Sequence, residues 1–450
     1  MRLNLKALKT FGRGGVHPPE KKELTSAIPI RNAHIPALAT VYLSQHLGSP
    51  AKCLVNVGDE VKEGMLIGEA QGFISANIHS PIPGVVKEIK TLFSPQGYKT
   101  EAVVIELAGK FDRSGKIIDK RNWEDMTDTE LLSTISEMGI VGLGGAAFPT
   151  HVKLTPVNEK PIQYLIINGV ECEPYLTADH RLMLEKAEEI LEGIAIVARV
   201  TKAKELFIAI EANKLDAYEI LTEKVKERGL NIKVVPLAVK YPQGDEKMVL
   251  KALLGLSVPG NKLPLDVGAV VSNVGTVFAI YEAVVWQKPL IERVLTVTGS
   301  AVLRPANLKA RIGTPIGELI EECGGLKGEA RKIVLGGPMM GYATAELTTP
   351  VTKGTSGIIV LGRREAVSAD HSPCIRCGRC LKACPWGLQP TIMFNLLENH
   401  ESSTCIKIGL FDCKECGSCA FVCPSEIPLV QAFKAGKIYA KKILNEAKKK

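Results

Sequence analysis

Two cysteine runs near the C-terminus carry the most specific chemistry in this sequence. The first is Cys374-x-x-Cys377-x-x-Cys380-x-x-x-Cys384-Pro385; the second is Cys413-x-x-Cys416-x-x-Cys419-x-x-x-Cys423-Pro424. That spacing holds pairs of 4Fe–4S cubes. Short gaps let three thiolates wrap three corners of one cube, and Gly378 and Gly417 keep the tight loops free of side chains. The fourth cysteine lies beyond a turn and reaches the other cube. Cluster one then takes Cys374, Cys377, Cys380 and Cys423; cluster two takes Cys413, Cys416, Cys419 and Cys384. Zinc favours paired Cys-x-x-Cys units with four ligands per site, and these runs fit it poorly. Two cubes held close together form an electron wire. Arg376, Arg379 and Lys382 beside the first run either tune its potential and dock an acidic partner or form a solvated charged face.

The remaining cysteines sharpen this. Nine of the twelve fall between Cys374 and Cys423, and only Cys53, Cys172 and Cys323 lie outside. A disulfide scaffold would spread them and would need an oxidising compartment; dense clustering points to metal. Cys405 is off the pattern and reads as a packed thiol. The 450 residues are 46% hydrophobic and 23% charged, as in globular chains, and suffice for two to four domains. No apolar run reaches the roughly 18 residues of a membrane span, and the N-terminus lacks the apolar core of a signal peptide. The expected location is cytoplasmic. The net charge of +8 and the tail KKILNEAKKK read as a solvated helix end or a surface for anionic partners. No nucleic-acid module is recognisable.

A second set of candidates lies some 200 residues upstream. Gly142, Gly144 and Ala147 formally satisfy the spacing of a dinucleotide loop, with Gly145 between and Phe148-Pro149 after. That fingerprint requires a strand before it and a helix directly after it, and here a helix precedes it. A glycine-rich backbone still admits close approach of an aromatic cofactor or a phosphate; a plain tight turn is the alternative. Asn168-Gly-Val170-Glu171-Cys172-Glu173-Pro174 ends a strand, the edge where α/β sheets bind ligands. Gly244-Asp245-Glu246 and Ser272-Asn273-Val-Gly275-Thr276 are further polar pieces of the same region. Four such pieces coupled to an electron wire favour a redox cofactor site.

The elements that must position these residues follow from patterning. Residues 1–115 are the first unit, and within it residues 50–90 contain short alternating strands with turn signals at Gly58-Asp59, Gly64 and Pro83-Gly84. Their GDxVxxGxxI and SPxxGxV phrases resemble a lipoyl or biotinyl carrier. No lysine occurs between Glu69 and Ser80 to carry such a cofactor, so a structural barrel-sandwich role is expected. Residues 116–290 alternate helix and strand, from a capping box at Thr127 and Glu130 onward, and imply a three-layer α/β domain with a mainly parallel sheet. Residues 291–360 read as a β-α-β unit of β-grasp type, and 361–450 as the two-cluster domain with its basic tail. The fold class is thus multidomain α/β.

Taken in order, Phe11-Gly12…His17-Pro18-Pro19, the barrel segment, GLGGAAFPTHVKL, INGVECEPYLTADHRLM, YPQGDEK, GGPMMG and the cysteine runs resemble the C subunit of the Rnf electron-transport complex over nearly the whole chain. The central domain is similar to the flavoprotein subunit of respiratory complex I, which binds FMN and NADH. The resemblance implies that Gly142, Gly144 and Gly145 lie along FMN and that Lys153 meets its phosphate or ribityl chain. It implies that Asn168 and Glu171 contact the flavin, and that Glu173 and Phe148 help hold the nicotinamide nucleotide. Gly244, Asp245 and Glu246 match a GEE segment, with Asp245 replacing the first glutamate. Asn273 and Thr276 match an NNVET segment, with Ser272 and Gly275 substituted, and Val170 stands where that subunit has Asp. The implied activity is hydride exchange between NADH and FMN with single electrons relayed by two clusters. The implied partners are other Rnf subunits, among them a ferredoxin-like subunit and integral membrane subunits, with ferredoxin reached indirectly. The implied place is peripheral, on the cytoplasmic face of the membrane. A soluble flavin/iron–sulfur NADH-dependent reductase, such as the related cobalamin reductases, is the alternative. That group tends to begin near its glycine loop, whereas about 140 residues come first here.

Overall fold

In the computed structural model the described residues are 8–111, 120–155, 160–260, 262–366 and 371–448. The barrel unit consists of two small sheets. One is antiparallel, with Leu38–Tyr42, Lys99–Leu107, Gly84–Phe93 and Glu60–Val61 in that spatial order; the other pairs Lys52–Cys53, Leu66–Glu69 and Ile78–His79. Alternate residues face inward, so Val41, Ile67, Ile78, Val86, Val103 and Ile105 form one apolar core. The hairpin tip where a carrier domain would present its lysine is the loop 70–77, between the strands Leu66–Glu69 and Ile78–His79.

The central domain has a parallel four-stranded sheet in the order Ile232–Leu237, Glu205–Glu211, Tyr164–Gly169, Ala269–Asn273. Its strands are apolar on both faces, as parallel strands covered by helices must be. Leu165, Ile167, Ile208 and Ile210 pack against the helices Ala187–Thr201 and Val274–Trp286. Ile166, Phe207 and Ala209 pack on the opposite side against Glu246–Leu254. This is the expected three-layer arrangement. The capping box is present, with Thr127 and Glu130 bonding reciprocally at the start of Asp128–Glu137.

The third unit is a six-stranded mixed sheet, with the helix Ile316–Glu322 buried against it. One edge strand, Ile30–Asn32, comes from the N-terminal segment and pairs in parallel with Ala306–Arg311. Not all residues of the first segment lie in the barrel, therefore. Lys9 bridges to Leu237, Val16 bridges to Tyr241, and Lys22 is buried in the central domain.

The last unit is built from short helices, with Arg379–Ala383 and Ser418–Phe421 opened by Gly378 and Gly417 in the left-handed region, φ 71° and 82°. Cys405 is fully buried and bonds its thiol to the Met393 carbonyl, the packing role expected of it. The basic tail continues the helix Leu429–Lys448, and Lys449 and Lys450 lie outside the described residues.

Candidate functional site

The cysteines sort into two cavities. Cys384 from the first run lines one with Cys413, Cys416 and Cys419, among Trp386, Met393 and Phe433. Cys423 from the second run lines the other with Cys374, Cys377 and Cys380, among Phe394, Pro424 and Leu429. The two empty volumes are about 370 and 390 Å3, each including its open mouth. Each fourth cysteine thus sits with the other run. Among the described residues no three His, Cys, Asp or Glu side chains close on a single metal ion. Four thiols around a cavity rather than a point suit a multi-iron cube better than one zinc.

Backbone amides point at these sulfurs. Arg376 N, Glu415 N and Leu388 N each donate to a cysteine Sγ at 3.4 Å, those of Cys374, Cys413 and Cys384. Left-handed Arg376 and Glu415, φ 54° and 56°, aim two of them. Such donors stabilise thiolate charge. Burial pushes the Cys413, Cys416 and Cys419 thiols up, Cys416 to about 12. Iron must therefore displace their protons on binding.

The two cavities differ in exposure. Cys384, Cys416 and Cys419 are buried, whereas Cys374 and Cys377 are exposed, and Ile375 between them is 68% exposed. The inner set abuts both the central domain and the third unit. Tyr241 Oη donates to the Cys416 carbonyl at 2.7 Å, and a Cβ on Gly417 would stand 2.8 Å from the Met339 carbonyl.

The upstream candidates gather at the carboxyl ends of the parallel strands. Asn168 and Asn273 are direct register partners at the ends of Tyr164–Gly169 and Ala269–Asn273. Asn273 caps the helix Val274–Trp286 by accepting from Gly275 N and Thr276 N, and its Nδ2 donates to Asp179 at 2.6 Å. The glycine loop closes on itself through Gly142 N to the Phe148 carbonyl, 2.8 Å. Its tip is pinned at Leu143, which donates to Thr276 Oγ1 (2.8 Å) and accepts from Arg293 Nη2 (2.7 Å). A Cβ on Gly144 would meet only the Asn273 side chain, at 3.4 Å, and one on Gly145 would meet nothing within 4 Å. A fixed, bare backbone thus borders open space beside a helix N-terminus, which suits a flat ring and a phosphate. These residues fit FMN.

The acids are restrained individually. Glu171, left-handed at φ 45°, caps the helix Ala178–Glu185 by accepting from Asp179 N and His180 N. Strain of this kind collects at functional sites. Asn168 Nδ2 donates to the Gly244 carbonyl at 2.8 Å. Asp245 caps the helix Glu246–Leu254, and Lys153 pairs with Glu246 at 2.9 Å. Glu173 accepts from Met339 N at 3.0 Å and touches Tyr241 Oη at 3.1 Å. Burial raises its carboxyl to about 7. That fits the geometry: Tyr241 has one proton, and when it serves the Cys416 carbonyl, Glu173 must hold its own. Burial and then the neighbouring Glu171 charge raise Asp179 to about 6.

Four positioning residues escaped the sequence reading. Lys22 is buried and donates to the carbonyls of Glu171, Glu173 and Leu176 at 2.9, 3.0 and 2.5 Å, holding the whole acidic loop. Lys214, fully buried, donates to the Val170 carbonyl. Arg293 interrupts the apolar strand Glu292–Thr298, a signal that was visible but unassigned. Asp179 stood unassigned in the matched TADHRLM phrase.

Fold and site together define an electron-transfer protein with a flavin-binding α/β domain and two cysteine-lined cluster cavities. Family models agree segment by segment: a RnfC barrel sandwich hybrid domain over residues 10–110, a Nuo51 FMN-binding domain over 135–282, an SLBB domain over 294–343 and a 4Fe-4S dicluster domain over 364–427. The C subunit of the proton-translocating ferredoxin:NAD(+) oxidoreductase complex of Clostridium ljungdahlii is 46% identical, spanning 86% of this chain and 84% of that one. The C subunit of the ion-translocating oxidoreductase complex of Rhodobacter capsulatus is 41% identical over 96% of this chain and 83% of its own. The Acetobacterium woodii Na(+)-translocating counterpart is 40% identical over 84% and 85%. The chain belongs to the family of C subunits of the ion-translocating Rnf complexes. A crystal structure of an NAD+-reducing NiFe-hydrogenase shares the fold at TM-score 0.50 and 17% identity, over 69% of this chain and 63% of that one. Among the described residues no helix is long and apolar enough to cross a membrane.

Proposed function

We propose that this protein exchanges hydride with NAD(H) at its FMN domain and passes single electrons outward through the inner and then the outer cysteine set. Bound FMN supplies the conversion between two-electron and one-electron chemistry. The chain's own part is positional. Leu143, held between Thr276 and Arg293, fixes the glycine loop; Asn168, Glu171, Asn273 and Thr276 line the strand ends beside it; Lys153 and Glu246 offer paired charge at the rim. In this reading Glu173 and Phe148 help hold the nucleotide, and Gly244, bonded to Asn168, and Asp245, at the start of Glu246–Leu254, belong to the same group at the strand ends. Cys384, Cys413, Cys416 and Cys419 form the inner ligand set; Cys374, Cys377, Cys380 and Cys423 form the outer one.

One observation carries the direction of the relay. The buried set is hydrogen-bonded to the flavin domain through Tyr241, and the exposed set opens to the surface at Ile375. That outer mouth, with Arg376 and Arg379, is where a ferredoxin-like subunit of the complex would dock; the integral membrane subunits and ferredoxin itself lie beyond it. In this reading the chain works as a peripheral subunit on the cytoplasmic face of the membrane. The match of the barrel over residues 10–110 supports Rnf membership over a soluble cobalamin-reductase-like enzyme. The test is anaerobic addition of NADH to the purified chain with its flavin and iron measured. Bleaching of the flavin absorbance is expected, and flavin that is present but stays oxidised rejects the reading.

A further inference from the structure

The barrel has kept the hairpin tip that carrier domains use for a cofactor, but the tip carries Gln71-Gly72-Phe73-Ile74 and no lysine. It is nevertheless a built loop. Gln71 N donates to Ser75 Oγ, Ser75 Oγ donates to the Ser49 carbonyl, and Ser49 N donates to the Ile74 carbonyl at 3.0 Å. Ala76 N donates to His46 Nε2 at 3.1 Å. The same His46 Nε2 lies 2.9 Å from the Ser49 carbonyl, and burial pushes the ring down to about 4, so it packs there uncharged. Gly48 is required there: a Cβ would fall 2.0 Å from the Ile74 carbonyl. The knot leaves Phe73 65% exposed, an aromatic ring displayed from a rigid turn.

This turn lies against the glycine loop. Leu47 N donates to the Ala147 carbonyl at 3.2 Å, and Ser49, two residues on, is bonded to the Ile74 carbonyl of the tip, so the turn is tied to the loop that ends in Phe148. Gly144, Gly145 and Ala146 are exposed on the same loop. An exposed apolar ring beside a nucleotide-binding backbone has a natural occupant in a flat heteroaromatic ring. We infer that the barrel hairpin forms the outer wall of the nicotinamide nucleotide site, with Phe73 stacking on the adenine of NAD(H). The barrel is then a substrate-binding element in place of a swinging arm. This rests on the proposed nucleotide site at the glycine loop and adds an assignment for the dinucleotide's adenosine half.

The adenosine half is remote from the reacting ring, so removing its contact weakens binding without slowing chemistry. The test compares NADH with reduced nicotinamide mononucleotide, which lacks adenosine, on the full purified chain with ferricyanide as acceptor. Phe73→Ala should raise KM for NADH about tenfold, leave kcat within about twofold and leave KM for the mononucleotide unchanged. Phe73→Trp should restore the NADH value. An unchanged KM for NADH, or equal rises for both donors, overturns the inference. So does a Phe73→Ala chain with normal kinetics that fails to assemble into the complex, which would make the ring an assembly contact. If NADH does not reduce the wild-type flavin at all, the underlying site assignment fails first and this inference falls with it.

Discussion

Gly337→Ala would strike the contact that ties the flavin domain to the inner cluster. A Cβ at Gly337 would stand 2.1 Å from Glu173 Oε2, 2.3 Å from its Cδ and 2.4 Å from its Cγ. Carbon contacts are comfortable near 3.5 Å, so the carboxyl must retreat by more than about 1 Å. Gly337 is buried, and the backbone beyond it carries the Met339 amide that bonds Glu173. Retreat therefore breaks the 3.0 Å bond from Met339 N and the 3.1 Å contact with Tyr241. Two hydrogen bonds to a carboxyl, partly replaced by water because Glu173 is only partly buried, amount to about 2–4 kcal/mol. In thermal melts of the anaerobic, cofactor-loaded protein this is a drop of several degrees. KM for NADH should rise as well. The double variant Gly337→Ala/Glu173→Ala removes the clashing group, so its loss should match Glu173→Ala alone rather than the sum. Strict additivity, or a Gly337→Ala protein with unchanged melting and kinetics, would refute the contact as described.

Two other outcomes follow from the same geometry. The Glu173 carboxyl is raised from 4.5 to about 7 by burial, so the fold holds its proton after the unfolded chain has lost it. Stability from that proton is full below pH 4.5, fades between there and about pH 7 and is gone above it, a loss of about 3 kcal/mol at most. Glu173→Gln, a neutral shape mimic, should match wild type near pH 5 and melt higher near pH 8; a pH-independent difference would sink the assignment. Cys384→Ser should disturb the inner EPR signal and spare the outer one. Loss of the outer signal alone would mean that each run holds its own cube.

The two cysteine runs were legible because their spacing is local: gaps of two residues leave a loop little choice of where to point three thiols. The both-faces apolar strands QYLIING and KELFIAIEA announced a covered parallel sheet for the same reason. What could not be read was long-range. The strand Ile30–Asn32 is three residues long and belongs to a sheet made mostly of residues beyond 290. Lys22 sits in a run of charges that reads as solvated surface, yet it is buried and holds three carbonyls some 150 residues away. Its burial is settled by unpaired carbonyls in the acidic loop, which no pattern around residue 22 encodes. The hairpin tip lay between these cases: the missing lysine was visible, but Phe73 gains meaning only from the Leu47–Ala147 bond that ties its turn to the glycine loop.

Electrons are proposed to take one route, from NADH through the flavin domain to the buried cysteine set and only then to the exposed one. Rapid-freeze EPR alongside flavin absorbance, after mixing the anaerobic holoprotein with NADH, reads that order directly. Flavin bleaching followed by the signal lost in Cys384→Ser, and later by the second signal, is expected. Reduction of the exposed cluster before the buried one, or of either cluster without the flavin, would contradict it.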